Sequence, residues 1–364
     1  MISTLQAGRA IAAVSVVAFH LSIMMASPRY GGVEVFREYT RYGARGVDFF
    51  FVLSGFIIVF AHARDIGHPA AWGNYVYRRF VRVYPIYWLY TLVFVVVLAT
   101  AGGTDAAMPD TLPDWLTSLS LVRFTATKPP LGQGWTLFHE VAFYAVFSIL
   151  ILHRRLGMLA LGAFALVAVL FPPGLLGKPL NVYTSDYNIY FVLGMGAWLL
   201  YRKGGKGLVD ALCGVALSVV ALATTLVPPG LSLLALAAGL AWMLAGLVKL
   251  ETSGLLRIPR WLVSVGNASY SIYLTHINVE GLILKIAPKL HLNQLLGPQL
   301  TFAVVLAATV GVGWLAYVFV EQPLLKLLKR RRGSARPPPA LLVPGPVVSG
   351  GAADGIRRRA PDRH

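Results

Sequence analysis

Runs of apolar residues separated by short polar connections divide this chain, and ten of them are long enough, some only just, to cross a hydrocarbon core. They cover roughly 5–26, 46–63, 83–101, 135–153, 156–172, 187–201, 208–226, 230–249, 261–283 and 298–320. The pattern predicts an all-α, polytopic membrane protein with about ten transmembrane helices. The first run differs from the rest because it carries Arg9 near its start and His20 eleven residues later. At about 100° per residue, eleven steps return to within about 20° of the same face, with the two groups about 16 Å apart along the axis. A polar pair on one stripe of an apolar span faces protein or water rather than lipid. This run is expected to be retained, since Met24 would occupy the −3 position of a cut after Ala26 and is not small. Between the third and fourth runs, the segment 109–124 spaces Trp115, Leu116 and Leu119 as a short interfacial helix does.

Composition supports the membrane reading. Of 364 residues, 57% are hydrophobic and only 13% charged, more apolar surface than a soluble domain can hide. The net charge of +17 would suggest nucleic acid in a soluble protein, but its distribution gives it another origin. With the N-terminus inside, 23 of the 32 Lys and Arg fall on the cytoplasmic side and nine outside; without the tail the balance is 13 against nine. That follows the positive-inside rule and places both termini in the cytoplasm. The expected division is a membrane-embedded domain over 1–325 and a basic, Pro/Gly/Arg-rich cytoplasmic tail over 326–364. The tail is read as disordered and close to an anionic leaflet. One cysteine, Cys213, excludes an intrachain disulfide or a cysteine metal cluster. No internal repeat relates the first five runs to the last five.

Four ionisable groups share a depth under this topology. His20, Asp48 (in GVDFFFVLSGF), Glu140 (in GWTLFHEVAFY) and His276 (in ASYSIYLTH) all fall in the outer third, on four different runs. Four at one level predict a shared polar cavity, although each has a blander reading. A span histidine can simply bond across helices, Arg9 can snorkel as an inner-end anchor, and Asp48 can pair with Arg45 at the entry to its span. Glu140 is harder to dismiss, because a carboxylate inside a span is costly unless paired. His139 points about 100° away from it, and HEVAF lacks the second histidine of a zinc-protease motif. On the inner side Arg79 and Arg82, at i and i+3 just before the third run, share one face. They suit phosphate recognition as readily as they suit a topology-setting loop. The glycine and aromatics of FVLSGF read as close helix packing, and Glu321 as an inner-end helix terminator with Pro323.

Taken in order, these elements resemble the acyltransferase-3 family of bacterial integral-membrane O-acyltransferases. The likeness is carried by Arg9 and His20, GVDFFFVLSGF (46–56), Arg79 and Arg82, GWTLFHEVAFY (134–144), ASYSIYLTH (268–276) and VEQPL (320–324). The compact forms GQGWTL (132–137) and ASYSIYLTH (268–276) are most like the exopolysaccharide acetyltransferase branch. The resemblance implies a multi-pass enzyme of the bacterial cytoplasmic (inner) membrane. It would move an acyl group, by default acetyl, from acyl-CoA to a sugar hydroxyl of a cell-surface or exopolysaccharide acceptor. Acetyl-CoA is then a co-substrate and no bound cofactor or metal is implied.

The resemblance also assigns roles. Catalysis falls to His20 and Arg9, and donor handling to Arg79 and Arg82. Beside the resemblance, the residues themselves suggest His20 as general base, with Asp48 or Glu140 to orient it. His276 and Tyr273 would contact the acceptor. The span-four signature departs from the family's paired acid, leaving Glu140 as its single carboxylate. Partners would be a lipid-linked or nascent polysaccharide, membrane lipid and polysaccharide-assembly proteins, but not nucleic acid. The runner-up function is a transporter or exporter of a lipid-linked saccharide, which repeats in matching halves would favour. A non-catalytic scaffold would leave the ionisable groups dispensable.

Overall fold

A computed structural model of the chain describes residues 2–101, 108–171, 176–177, 179–223 and 229–330. Secondary structure among them is helical throughout. In chain order the helices are α1 (Ser3–Ala26), α2 (Arg37–Thr40), α3 (Gly46–His62), α4 (Trp72–Ala101), α5 (Leu112–Ser120), α6 (Trp135–Leu152) and α7 (Arg154–Leu170). There follow α8 (Tyr187–Arg202), α9 (Gly207–Ala223), α10 (Pro229–Thr252), α11 (Arg260–Asn267), α12 (Ser269–Ile286), α13 (Leu292–Ala316) and α14 (Gln322–Arg330). Met1–Leu325 forms one compact unit and Lys326–His364 a second. From residue 331 the basic tail lies outside the described residues.

Six of these stretches are long and apolar enough to cross a membrane; the ninth predicted run falls on two helices, α11 and α12, and each of the others overlaps one. The outward faces agree. Leu92, Val93, Val96 and Val97 of α4 and Leu159, Leu166, Val169 and Leu170 of α7 are all exposed, a display that a water-soluble surface does not tolerate. The chain is an integral membrane protein.

Helix α1 is the hub, packing against α3, α10, α11, α12 and α13. Small residues let it be approached closely: a Cβ at Gly266 would overlap the Gln6 carbonyl, and one at Gly46 would press on the Ala12 carbonyl. Its first amides, orphaned by helix geometry, are met by a carboxylate of α10. Ser3 N–H and Thr4 N–H donate to Glu251 Oε1 (2.7 Å) and Oε2 (2.6 Å), which also places negative charge at the positive end of the helix dipole. In FVLSGF the packing reading holds for Gly55, where a Cβ would overlap the Phe191 carbonyl of α8.

Three boundaries differ from the pattern. Helix α4 begins at Trp72, eleven residues before the third apolar run. Its first turns are turned inside out: Val76, Phe80 and Trp72 are exposed while Tyr75 is buried, so Arg79 and Arg82 look inward from within a helix rather than lying in a loop before one. Hydropathy averaging stops at the arginines, but the backbone does not. The ninth run bends at Ala268, separating α11 from α12. The tenth starts at Leu292 and breaks at Gly297 (φ 74°) before Pro298, a positive φ suited to glycine followed by a residue with no N–H to donate.

The segment after the third run does form a helix, α5, with Leu112, Leu116 and Leu119 exposed and Thr117 and Ser118 buried. Its C-terminal carbonyls are capped from α4. Tyr84 OH donates to Ser120 O (2.7 Å), Tyr87 OH to Ser118 O (2.8 Å) and Trp88 Nε1 to Leu119 O (2.8 Å). Donors at i, i+3 and i+4 occupy one face of α4, so three aromatics satisfy three orphan acceptors.

Candidate active site

Two polar groupings lie along α1, one at Arg9 and one at His20, and helix α12 serves both. Arg9 Nε donates to Ser269 Oγ (2.9 Å), and His20 meets His276 seven residues further along α12. Residue numbers rise together, so α1 and α12 run parallel. The groupings are separated by seven residues, about 10 Å, along α12 and by eleven residues, about 16 Å, along α1.

The Arg9 grouping is a lattice of opposite charges. The Arg9 guanidinium lies within Coulombic reach of Arg82, Glu321, Glu140 and Tyr144. Arg82 Nη1 pairs with Glu321 Oε1 at 3.3 Å, and its guanidinium stands 5.2 Å from the centroid of the Tyr270 ring. Ser271 Oγ donates to Glu321 Oε2 (2.6 Å). Having given its proton there, Ser271 accepts from Tyr90 OH at 2.8 Å. Glu321 is only 1% exposed. A five-residue π-helical turn, Tyr317–Glu321, brings it inward, the kind of local widening often found at functional positions. The sequence reading of Glu321 as a helix terminator is thereby corrected: helix continues on both sides of it, and its carboxylate is the counter-charge of Arg82.

Glu140 is held from two sides. Tyr144 OH donates to Glu140 Oε1, and Ser54 Oγ donates to the same oxygen from α3 at 3.3 Å. Arg79 stands over the Tyr144 ring at 5.5 Å, and its buried Nε has no hydrogen-bond partner among the described residues. The two arginines read together from sequence are therefore unequal: Arg82 is engaged by a carboxylate, whereas Arg79 keeps donors to spare.

The histidine grouping contains no carboxylate. His20 Nδ1 lies 3.0 Å from Val16 O and 3.3 Å from His276 Nε2, with ring centroids 5.0 Å apart. His276 Nδ1 lies 2.7 Å from Tyr273 O. Tyr273 is half-buried, with its ring beside Phe50 and His276 and its hydroxyl donating to Gln133 O at 3.5 Å. A carbonyl oxygen can only accept, so each Nδ1 carries a proton. In the neutral rings each Nε2 then keeps its lone pair. His20 is half-buried while His276 is fully buried, which leaves His20 Nε2 as the basic nitrogen with access.

Of His20, Asp48, Glu140 and His276, expected to share one cavity, only the two histidines are bonded to each other. Equal depth does not fix the direction in which a side chain leaves its helix. The structure unites His20 with His276 but commits Asp48 to Arg45 (3.2 Å) and Glu140 to Tyr144 and Ser54. Neither carboxylate is the bonded orienter of His20. His139, in keeping with the helical rotation, turns away from Glu140 to pack against Phe51, Trp135 and Tyr187. One residue escapes the sequence reading altogether: Glu280 of α12 is fully buried and neither carboxylate oxygen has a hydrogen-bond partner among the described residues. It lies four residues beyond His276, on the same helix face, and a carboxylate inside the ninth run is the signal that could find it.

The fold and the apolar outer faces define a helical membrane protein that carries a buried charged grouping and an imidazole pair on one hub helix. The comparisons give the particular family. The family model described as "Acyltransferase domain" matches residues 2–318, and the chain belongs to this acyltransferase-3 family. It is 33% identical to the exopolysaccharide production protein ExoZ of Rhizobium meliloti, over 80% of this chain and 93% of that protein. It is 28% identical to the acyltransferase MdmB of Streptomyces mycarofaciens, over 82% of this chain and 85% of that one. No solved structure matches it. The protein is a membrane acyltransferase.

Proposed function

We propose that the acyl group is acetyl, that its donor is acetyl-CoA, and that its acceptor is a hydroxyl of a cell-surface or exopolysaccharide sugar. The observation that carries the reading is the state of His20, with Nδ1 committed and Nε2 free on the half-buried side of α1. Neutral imidazole is matched to removing a hydroxyl proton near pH 7. As the acceptor oxygen attacks the thioester carbonyl, its proton passes to Nε2. The tetrahedral intermediate then expels the CoA thiolate, which recovers that proton. Arg79, with guanidinium donors to spare, is the residue suited to a CoA phosphate. Arg82, locked to Glu321, frames the site, and Arg9 bears on the charge that develops between the two groupings. The name of the Rhizobium relative supports the polysaccharide acceptor. The charge distribution supports ten spans with both termini cytoplasmic, in a bacterial inner membrane.

The test is release of free CoA from acetyl-CoA by protein purified in nanodiscs, with bacterial cell-envelope saccharide supplied. His20→Ala is expected to lower turnover at least about 1,000-fold while the protein remains folded. A folded His20→Ala protein with full activity would remove His20 from the chemistry. A wild type that neither binds nor turns over acetyl-CoA would overturn the donor assignment.

A further inference from the structure

His20 and His276 are 256 residues apart in sequence, yet their rings meet with 3.3 Å between His20 Nδ1 and His276 Nε2. Each is anchored by a carbonyl of its own helix, Val16 O for His20 and Tyr273 O for His276. With both Nδ1 atoms protonated, the His276 Nε2 lone pair faces the His20 Nδ1 proton. That proton is shared between Val16 O and His276 Nε2. A base held this way has its ring plane fixed by two acceptors on different helices, with the opposite nitrogen presented to substrate.

Resting on the reading of His20 as base, we propose that His276 is not an acceptor-binding residue but the positioning residue of the transferase. It holds the His20 ring with Nε2 toward the reacting hydroxyl, and its lone pair stabilises the imidazolium formed when Nε2 takes the proton. Proton and charge both leave with the CoA thiolate, so His276 ends the cycle as it began. In soluble triads a carboxylate fills this role. Here the carboxylates that could have filled it are engaged elsewhere, Asp48 by Arg45 and Glu140 by Tyr144 and Ser54. Glu280, the carboxylate of α12 itself, is a turn beyond His276. A neutral imidazole in that place avoids burying an additional charge inside the membrane, where it would be costly, and still offers a basic acceptor.

Two measurements test the proposal. In protein labelled with 15N-histidine, the Nε2 resonance of His276 is expected to move in His20→Ala toward that of a ring without a hydrogen-bond donor. An unchanged resonance would mean that the pair does not exist. In the CoA-release assay, His276→Leu is expected to lower kcat about 100-fold while leaving the KM for acetyl-CoA within about 2-fold. His276→Gln, whose side-chain oxygen can accept from His20, is expected to stay within about 10-fold of wild type. If both variants fall equally, or if KM for the saccharide rises with kcat unchanged, His276 is not a positioning residue. A wild type inactive with acetyl-CoA would sink the acyl-transfer reading alone, and the resonance would still decide whether the pair forms.

Discussion

The two groupings along α1 solve opposite problems with opposite chemistry. At Arg9, guanidinium groups and carboxylates neutralise one another, each oxygen of Glu321 meeting its own donor. At His20 the hydrogen-bond partners among the described residues are backbone carbonyls and a second imidazole. A charge inside a bundle persists only when it is paired, so the Arg9 grouping must be complete before substrate arrives. A general base must instead be uncharged and free on one nitrogen. A carboxylate bonded to it would stabilise the imidazolium, as in soluble triads, but would add a buried charge at this end of α1. On the proposed reading, the region richest in charge is the frame, and the region without formal charge carries the proton transfer.

If that division is right, the largest effect on folding should come from the charged grouping and not from the histidines. Glu321→Ala strips a buried counter-charge from Arg82 and an acceptor from Ser271. It is expected to destabilise the protein by about 3–5 kcal/mol, read as thermal unfolding in nanodiscs. The double variant Glu321→Ala with Arg82→Leu should recover much of that loss, because the stranded guanidinium is removed as well. If Glu321→Ala is as stable as wild type, the lattice is not what secures α4, α12 and the π-helical turn. The comparison then fails on the stability side.

A smaller effect separates the two arginines. Arg79 has an unpartnered Nε and Arg82 does not lack for a counter-ion. Arg79→Ala is therefore expected to raise the KM for acetyl-CoA about 10-fold, the loss of one charge-assisted contact, with little change in unfolding temperature. Arg82→Ala should do the reverse, lowering stability more than donor affinity. Equal kinetic losses from both would return them to the matched pair suggested by their spacing.

How much of this is legible in the sequence follows from what hydropathy can report. It reports depth, so the helical runs, and the phase shared by Arg9 and His20 within one helix, can be read directly. It does not report azimuth between helices, and so Asp48 and Glu140, at the same depth as His20, group with it in the sequence although each faces a different neighbour. Nor does it register a helix that is inverted, with aromatics outward and arginines inward. That is why α4 begins eleven residues earlier than its apolar run. The His20–His276 contact joins positions 256 residues apart, beyond any local spacing rule. Glu321 reads as a helix stop because Gln322 and Pro323 follow it, whereas a proline in the first turn of a new helical segment is tolerated.

The smallest expected effect belongs to Glu280, and it bears on the idea that the histidine end of α1 carries no required charge. Its carboxyl is fully buried without a hydrogen-bond partner for either oxygen, four residues from His276. Leaving such a group unpaired costs free energy, and an ionised form there would cost most. Gln has nearly the same shape and cannot ionise. If Glu280 contributes no charge to catalysis, Glu280→Gln should leave acetyl transfer within about 2-fold of wild type. It should also leave stability unchanged, or raise it by up to about 1 kcal/mol, as removal of a costly group predicts. A drop in turnover by about two orders of magnitude, with unaltered unfolding, would place a working carboxylate beside the imidazole pair. The division between a charged frame and an uncharged centre would then have to be redrawn around α12, with Glu280 joining His276 and His20 in place of a pair across two helices.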